Sequence, residues 1–490
     1  MLVVGAGPTG LALACGLAAA GVRVRVLDRA DGPSVTSRAN ILHARGVEVL
    51  DRLGALGDLP ADAVAPTGLR MYVRGEHLAT MTFAHDERES TQALYVSQAS
   101  VEHRLRERLD RHGVRVEWRR EVAELEQQAG GVTIRTSEGG TIEASWLVGC
   151  DGAHSRVREL AGIGFPGVPI VERFLLADVH ADGLPDRSGG AGWFHREGLI
   201  MAMPMPDEVG TLWRLMADVP DDGRRLTPDD VVRELAGLIE ERAGIVGTRI
   251  SDVVWTSVFR IQRRLADGYR SGRVLLAGDA AHIHSPFGGQ GMNTGIGDAE
   301  NLAWKLALVV HGGARAALLD TYGAERRPAA ADVLRRTTTN TRMLVAQGWF
   351  ARLLRDHVLI RILDLPSVQR RATRVASQLD LSYRRGPLGG GGRAPRPGDR
   401  VGERPVTVDG GRLRLADLLG PGWALVGRDL APLRAVLDRR LPGAVTLAAT
   451  DRADALLIRP DGHLLWRGTS PARLEATLEA AGIRPVGAHR

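Results

Sequence analysis

The sequence predicts an α/β protein in which a parallel, dinucleotide-binding sheet is interrupted by a mixed β-sheet and followed by a small C-terminal domain. Three observations carry this. The strand Leu2–Val4 runs into the turn Gly5-Ala6-Gly7-Pro8-Thr9-Gly10, a helix from about Thr9 to Ala20, and a second strand Val22–Leu27 ending in Asp28. That is a βαβ unit with its crossover helix. From roughly Val168 to Arg264 the pattern shifts to longer alternating strands, before the dinucleotide-binding pattern resumes at Arg273–Ala277. Finally, the run from Gly386 to Pro397 is rich in glycine and proline and sets off Arg400–Arg490.

Within this frame each element has a local signal. Val101–His112 places Val101, Leu105 and Leu109 on one helical face. Val114–Trp118, Glu121–Gln127, Gly131–Thr136 and Thr141–Gly149 read as strands, with a turn at Glu138-Gly139-Gly140. Phe174–Val179, Leu199–Met203 and Thr211–Ala217 are strands of the inserted sheet, with a helix near Pro228–Ala243 among them. A long helical stretch is expected from Gly297 to about Leu381. The last segment reads as strand (Ala424–Val426), helix (Pro432–Arg440), strand (Val445–Leu447), a hairpin turning at Pro460-Asp461-Gly462, and helix (Ala472–Ala481). The resulting division is 1–167 and 269–385 for the two parts of the nucleotide-binding domain, the second carrying the helical segment. Residues 168–268 form the substrate sheet, 386–399 a linker, and 400–490 the terminal domain.

With 490 residues, 44% hydrophobic and 25% charged, the chain has length for two or three domains and a sizeable core. Its 64 basic residues, all arginine except Lys305, alternate with 58 acidic ones in stretches such as Arg104–Asp110 and Arg233–Arg242. This is the pattern of solvated helix faces, so the net charge of +6 does not argue for a nucleic-acid partner. Cys15 and Cys150 are too few for a disulfide scaffold, match no metal spacing, and fall in predicted core elements. No stretch approaches the ~18 apolar residues of a membrane span. The chain opens directly on a strand, and a cytoplasmic location is expected.

The glycine turn has a mechanical meaning. Gly5 permits the tight turn, Gly7 lets the backbone approach a pyrophosphate, and Gly10 lets the helix pack on the strand. The helix that opens at Pro8 and Thr9 offers unpaired N–H groups and a partial positive charge to phosphates. Asp28, 23 residues after Gly5 and followed by Arg29, stands where a carboxylate accepts from ribose hydroxyls. A carboxylate there disfavours a 2′-phosphate, so the site suits FAD or NAD better than NADP. Three further motifs bear on the choice between FAD and NAD: Ser37-Arg38 through His43-Ala44-Arg45, Gly149-Cys150-Asp151-Gly152-Ala153-His154-Ser155-Arg156-Val157-Arg158, and Gly278-Asp279-Ala280-Ala281-His282 followed by Pro286 to Gly295.

With these motifs in order, the chain resembles the class A flavoprotein aromatic hydroxylases, the para-hydroxybenzoate hydroxylase and phenol hydroxylase superfamily. Within it the resemblance is closest to actinobacterial hydroxylases of aromatic polyketides, and it runs from Leu2 to Tyr322-Gly323-Ala324-Glu325-Arg326-Arg327-Pro328. The resemblance implies a Rossmann-like FAD-binding domain, with Asp279 after Gly278 on the ribityl chain and Arg38 and Gln98 at the ribityl-phosphate region. It puts the Asp151-Gly152 turn near FAD and near the route of a transient NADPH or NADH, and Arg45 near the flavin or its pyrophosphate. The Pro286–Asn293 loop, with Gly289 and Gly291, would wrap the isoalloxazine with the Pro286 carbonyl facing the reaction space. Backbone N–H groups of Met292 and Asn293 would stabilise negative charge on the reduced ring. Arg45 and Pro286 are the catalytic candidates.

The implied reaction is hydroxylation through a C4a-hydroperoxyflavin, using NAD(P)H and O2 on a polycyclic polyketide-type phenol or quinone. The protein's part is to position the ring and exclude water. Tyr72, Trp193, Phe194, Met201, Met203, Trp213 and Met216 could line a pocket for a flat substrate, although alternating strand positions also pack cores. Arg214, His195 and Arg196 are possible polar partners there. His282 and His284 lack further ligands, so no metal is expected. The terminal domain resembles the thioredoxin-like domain of phenol and polyketide hydroxylases, but contains no cysteine for redox chemistry. A monomer or homodimer is expected, with no membrane partner. The rival readings are a flavin-dependent halogenase, a Baeyer–Villiger oxygenase on the same fold, and a non-catalytic flavin-binding partner protein. The halogenase reading is disfavoured because Lys305 lies within a helix and no Trp-x-Trp-x-Ile-Pro run is present.

Overall fold

Leu2–Val4, a three-residue apolar run buried on both faces, lies inside a six-stranded sheet. The strand order is Arg270–Ser271, Val274–Leu276, Leu147–Gly149, Leu2–Val4, Arg25–Leu27 and Val116–Glu117. All neighbours are parallel except the first pair, and continuous apolar runs are what a sheet covered on both faces requires. The computed structural model describes residues 1–34, 39–64, 68–73, 75–82, 91–283, 289–344, 362, 365–420 and 422–485 of this mixed α/β protein. Among these residues no helix is long and apolar enough to cross a membrane.

The second large sheet has eight strands, in the order His282–Ile283, Arg249–Leu265, Gly167–Asp182, Leu212–Val219, Gly198–Pro204, Gly190–His195, Gly68–Val73 and Glu76–Thr82. It is therefore not the contiguous insertion 168–268. The hairpin Gly68–Thr82 joins it from the first segment, and Gly190–His195 pairs with Gly68–Val73 in parallel. Period-two alternation divides the sheet into two faces. One face takes Leu175, Ala177, Trp193, Ile200, Trp213 and Leu215 under the helix Pro228–Leu238, which supplies Val231 and Leu235. That helix starts on a capping box between Thr227 and Asp230. The opposite face, with Leu176, Met203, Arg214 and Met216, turns toward the glycine turn of the first domain.

Two expected elements divide. Thr141–Gly149 is two strands: Thr141–Ala144 joins a three-stranded antiparallel sheet, whereas Leu147–Gly149 enters the parallel one. The break falls at Trp146, buried with the Arg270 and Arg273 guanidiniums 5.2 and 5.0 Å from its ring. The long helical stretch likewise resolves into Gln290–Val310, Asp320–Leu344 and Pro366–Ser377 among the described residues.

The C-terminal segment forms a six-stranded sheet, ordered Gly411–Arg414, Pro405–Val408, Val445–Ala449, Trp423–Gly427, Ala455–Ile458 and Leu464–Gly468, with helices Ala431–Arg440 and Pro471–Ala480. It is not detached. Trp304 and Leu318 of the main body share one apolar core with Trp423, Leu433 and Leu474, and the Trp304 and Trp423 rings meet edge-on at 5.2 Å. Nor is 386–399 a free spacer: Gly390 N donates to Pro397 O (3.0 Å) and Gly398 N to Leu464 O (2.7 Å).

Charged groups are buried along the same seam. Burial alone would raise the Glu325 carboxyl, but the Arg459 guanidinium and Lys305 ammonium outweigh it and hold it at about 2. Arg400, Arg45 and Arg52 do the same for Glu48, also against burial and also to about 2. Both values lie below those of an unfolded chain, so this stabilisation is complete above about pH 4.5 and is lost as pH falls toward 2. The contribution of these two carboxylates should appear as a progressive fall in melting temperature as pH drops below about 4.5, and a profile unchanged from about pH 5 to pH 3 would contradict the assignment. Calorimetry should also show one cooperative transition, because the two parts share a core. Deleting Arg400–Arg490 should abolish that transition rather than leave a stable remainder.

Candidate active site

The glycine turn forms one end of an open cavity of about 410 Å3. Gly5 has φ +107°, and a Cβ there would lie 2.3 Å from the Cys150 carbonyl oxygen, so only glycine fits. Gly10 lies beneath the turn, where a Cβ would come within 1.9 Å of Gly5 O. Gly7, Pro8 and Thr9 face the cavity, and the helix Pro8–Ala19 points its N-terminus there. Asp28 closes the turn, accepting from Ala6 N (2.6 Å) and Ala30 N (2.8 Å) while lining the cavity beside exposed Arg29.

Two further turns complete this wall. Asp151 and Gly152 line it, with the Asp151 carboxylate accepting from the Ser155 hydroxyl and from Val157 N (3.0 Å). Burial raises that carboxyl, and these two hydrogen bonds oppose the shift. Asp279, in the turn Gly278–Ala280, exposes its side chain to the cavity, while Gly278 sits behind it against Thr9. Arg158 joins the two turns, donating to Ala153 O (3.1 Å) and Ala280 O (3.0 Å).

The helix Gln290–Val310 starts seven residues before the expected Gly297, capped by Gly289, and Gly289, Gly291 and Met292 line the cavity. Asn293 does not reach it. Its Nδ2 donates to Ile41 O (2.9 Å) and Gly289 O (2.8 Å), and its Oδ1 accepts from His43 N (2.8 Å), which fastens the loop to the neighbouring strand. Gln98 lines the cavity at the start of the helix Gln98–Arg111. Arg38 and Pro286 lie outside the described residues.

Of the expected substrate residues, Met203, Met216 and Arg214 line the cavity, together with Leu176. Arg214 is buried and held in a two-point ion pair by Asp178, with Nε to Oδ1 at 2.8 Å and Nη2 to Oδ2 at 2.7 Å. Trp193 and Trp213 fall on the other face, because each is an odd number of residues from the cavity-lining positions of its strand or register partner. They pack under the helix Pro228–Leu238 instead. Phe194 and Met201 are on the cavity side but pack with Met71, Phe174 and Leu199 without lining it.

Arg45 is also displaced from its expected place. It is buried at the seam with the C-terminal segment, where it donates to Glu48 (2.7 Å), Glu300 (2.6 Å) and the Asp461 carbonyl (2.7 Å). Three carboxylate or carbonyl acceptors there outweigh the motif's suggestion of a flavin contact. Buried His282 pairs with Asp298 (2.7 Å). Sequence reasoning missed Asn40, a buried side chain lining the cavity whose Nδ2 contacts the Met203 sulfur at 3.6 Å. It missed Arg120 on the wall as well, and gave no role to His154 and Arg156, which line the wall from within the Gly149–Arg158 motif. No spacing or periodicity marks Asn40 or Arg120.

A family model described as an FAD binding domain matches residues 1–337. The chain belongs to this FAD-binding family. The 6-methylpretetramide 4-monooxygenase of Streptomyces rimosus is 35% identical to it over 99% of this chain and 94% of its own length. Among solved structures, the anhydrotetracycline hydroxylase OxyS of Streptomyces rimosus superposes with a TM-score of 0.84 at 34% identity, covering 99% of both chains. Aklavinone-11 hydroxylase, in a ternary complex with FAD and aklavinone, superposes at 0.81 with 30% identity over 99% of this chain and 98% of its own.

The donor set of the cavity fits a flavin dinucleotide: a glycine turn at a helix N-terminus, a carboxylate at the end of the second strand, and Asp279 exposed beside the third turn. Asp279→Ala removes a charged hydrogen-bonding group and should raise the FAD dissociation constant roughly 10- to 100-fold, from about 1.5–3 kcal/mol. Gly10→Ala should abolish FAD retention outright, since its methyl cannot coexist with Gly5 O. Equilibrium titration of each apoprotein with FAD checks both, and full flavin occupancy in Asp279→Ala would remove that residue from the site.

Proposed function

We propose that this protein is an FAD-dependent monooxygenase that hydroxylates an aromatic, polyketide-type phenol or quinone, with NADH or NADPH as reductant and O2 as oxygen source. The observation that carries the reading is the continuity of the cavity. The same space that touches Gly5, Asp28 and Asp279 reaches Leu176, Met203 and Met216 on the second sheet. A cofactor held by the first set would therefore lie against an apolar wall suited to a flat ring. The named activities of the relatives agree with that arrangement.

FAD, when bound, supplies redox exchange with a nicotinamide nucleotide and activation of O2, chemistry for which no side chain lining the cavity among the described residues is an evident substitute. The chain's own part is positional and electrostatic. The first turn of the helix Gln290–Val310 presents its N-terminus at Gly291 and Met292, favouring negative charge on a ring placed there. The sheet face excludes water, and the Arg214–Asp178 pair adds a fixed dipole without net charge to that face. Asn40 offers a neutral amide to a hydroxyl or carbonyl, and such a group discriminates strongly because leaving it unpaired is costly.

NAD(P)H oxidation should be slow alone and accelerate about tenfold or more, equivalent to about 1.4 kcal/mol of barrier, when a hydroxylated polycyclic aromatic is added. The product should gain one oxygen atom, traced by heavy-oxygen labelling to O2. Label arriving from water would refute the reading. An O2-derived oxygen between two carbons would indicate a Baeyer–Villiger reaction, and FAD binding without any oxygenated product would indicate a non-catalytic partner.

A further inference from the structure

Asn301, Trp304 and Lys305 lie on one side of the helix Gln290–Val310 and meet the C-terminal turn from Arg459 to His463. Asn301 Nδ2 and Trp304 Nε1 donate to Asp461 Oδ2 at 3.3 and 3.2 Å, and Lys305 Nζ donates to Glu325 Oε2 at 2.8 Å. Arg459 bridges the two carboxylates, from Nη1 to Glu325 Oε1 (2.7 Å) and from Nε to Asp461 Oδ1 (2.9 Å). Lys305, Glu325, Arg459 and Asp461 are all at most 3% exposed, two cations balancing two anions, and none lines the cavity. The residue after Glu325 extends the chain of contacts. Arg326 donates to Asp298 Oδ1 (2.6 Å) and Thr294 O (2.9 Å), and Asp298 in turn accepts from Gly278 N (3.0 Å), beside Asp279.

Buried ion pairs contribute little net stability compared with apolar residues of the same shape. What they impose is position. An apolar seam tolerates sliding, whereas displacing a buried charge from its partners leaves it unsolvated in a low dielectric. The helix held by this quartet is the one whose first turn enters the cavity wall at Gly291 and Met292.

We infer that Arg459 and Asp461 are positioning residues for the cofactor site: the C-terminal hairpin fixes the placement of the helix Gln290–Val310, and with it the N–H groups that face FAD. The inference rests on the FAD reading of the cavity. It gives the C-terminal segment a role in the chemistry without contact to the reacting atoms and without cysteine.

The full-length variants Asp461→Asn, Arg459→Lys and Arg459→Met test it, with FAD affinity of the apoprotein, the visible spectrum of bound flavin and the melting temperature as readouts. Asp461→Asn keeps the side chain's size and an acceptor for Trp304 while removing the charge opposite Arg459. It should fold, bind FAD about tenfold more weakly, and shift the flavin bands. Arg459→Met should weaken binding further, with Arg459→Lys recovering part of the loss. A variant that melts earlier yet matches wild type in FAD affinity and spectrum would overturn the inference, leaving the hairpin a stabilising role only. Should Asp461→Asn not fold, Trp304→Phe, which removes one neutral N–H donor, is read the same way: weaker FAD binding supports the inference and unchanged binding overturns it. Failure of the wild-type protein to bind FAD would instead sink the cofactor reading itself.

Discussion

The carboxylate of Asp298 is the interaction around which the rest is arranged. It is fully buried and accepts hydrogen bonds from Gly278 N and His282 Nε2 of one segment and from Arg326 Nε of the helix Asp320–Leu344. Burial pushes its carboxyl upward, but Arg326 and His282 prevail and hold it below the ordinary range, so the anion is the resident form. A buried anion with three directed donors has one geometry, and losing any donor leaves it uncompensated. Through it the turn bearing Asp279, the helix Gln290–Val310 and the helix Asp320–Leu344 are placed relative to one another.

The second organising constraint is the two-residue period of the eight-stranded sheet. Helix on one side and cavity on the other means that neighbouring residues on a strand have opposite fates. Trp213 is core, Arg214 faces the cavity, Leu215 is core and Met216 faces the cavity again. Trp193 and Trp213 went to the helix side, where an amphipathic helix could cover them. The flexible methionines went to the cavity side, where polarizable, adaptable side chains suit an apolar surface that receives a ligand. Placing the bidentate Arg214–Asp178 pair among them keeps the wall electrically neutral while retaining hydrogen-bonding capacity.

Much of the fold was legible in the sequence because its signals are local. The glycine turn, the crossover helix and the strands around them depend on residues within a few positions of one another, and the expected helices of the C-terminal segment fall within a residue or two of those observed. Thr141–Gly149 was misjudged because its apolar pattern continues unbroken across a change of sheet at Trp146. The hairpin Gly68–Thr82 was missed as part of the second sheet because strand pairing across more than a hundred residues leaves no local trace. The stretch 386–399 reads as a spacer by composition, yet its backbone groups are satisfied by partners in the hairpin, a fact composition does not encode.

By itself the sequence determined the dinucleotide-binding turn, its place at a helix N-terminus and the acids that follow it, because steric and hydrogen-bonding demands there select residue types at fixed spacing. Gly5, Gly10 and Asp28 had no freedom to be otherwise. Only the tertiary structure decided which face Trp193 and Trp213 take, why Arg45 serves a buried ion cluster, and how Asn40 comes to line the cavity. It alone joined Asp461 to Trp304, 157 residues earlier, and Arg459 to Glu325, 134 residues earlier. Those outcomes turn on burial and on charge partners from distant segments, and a charged residue's environment is set by what folds over it rather than by its neighbours in the chain.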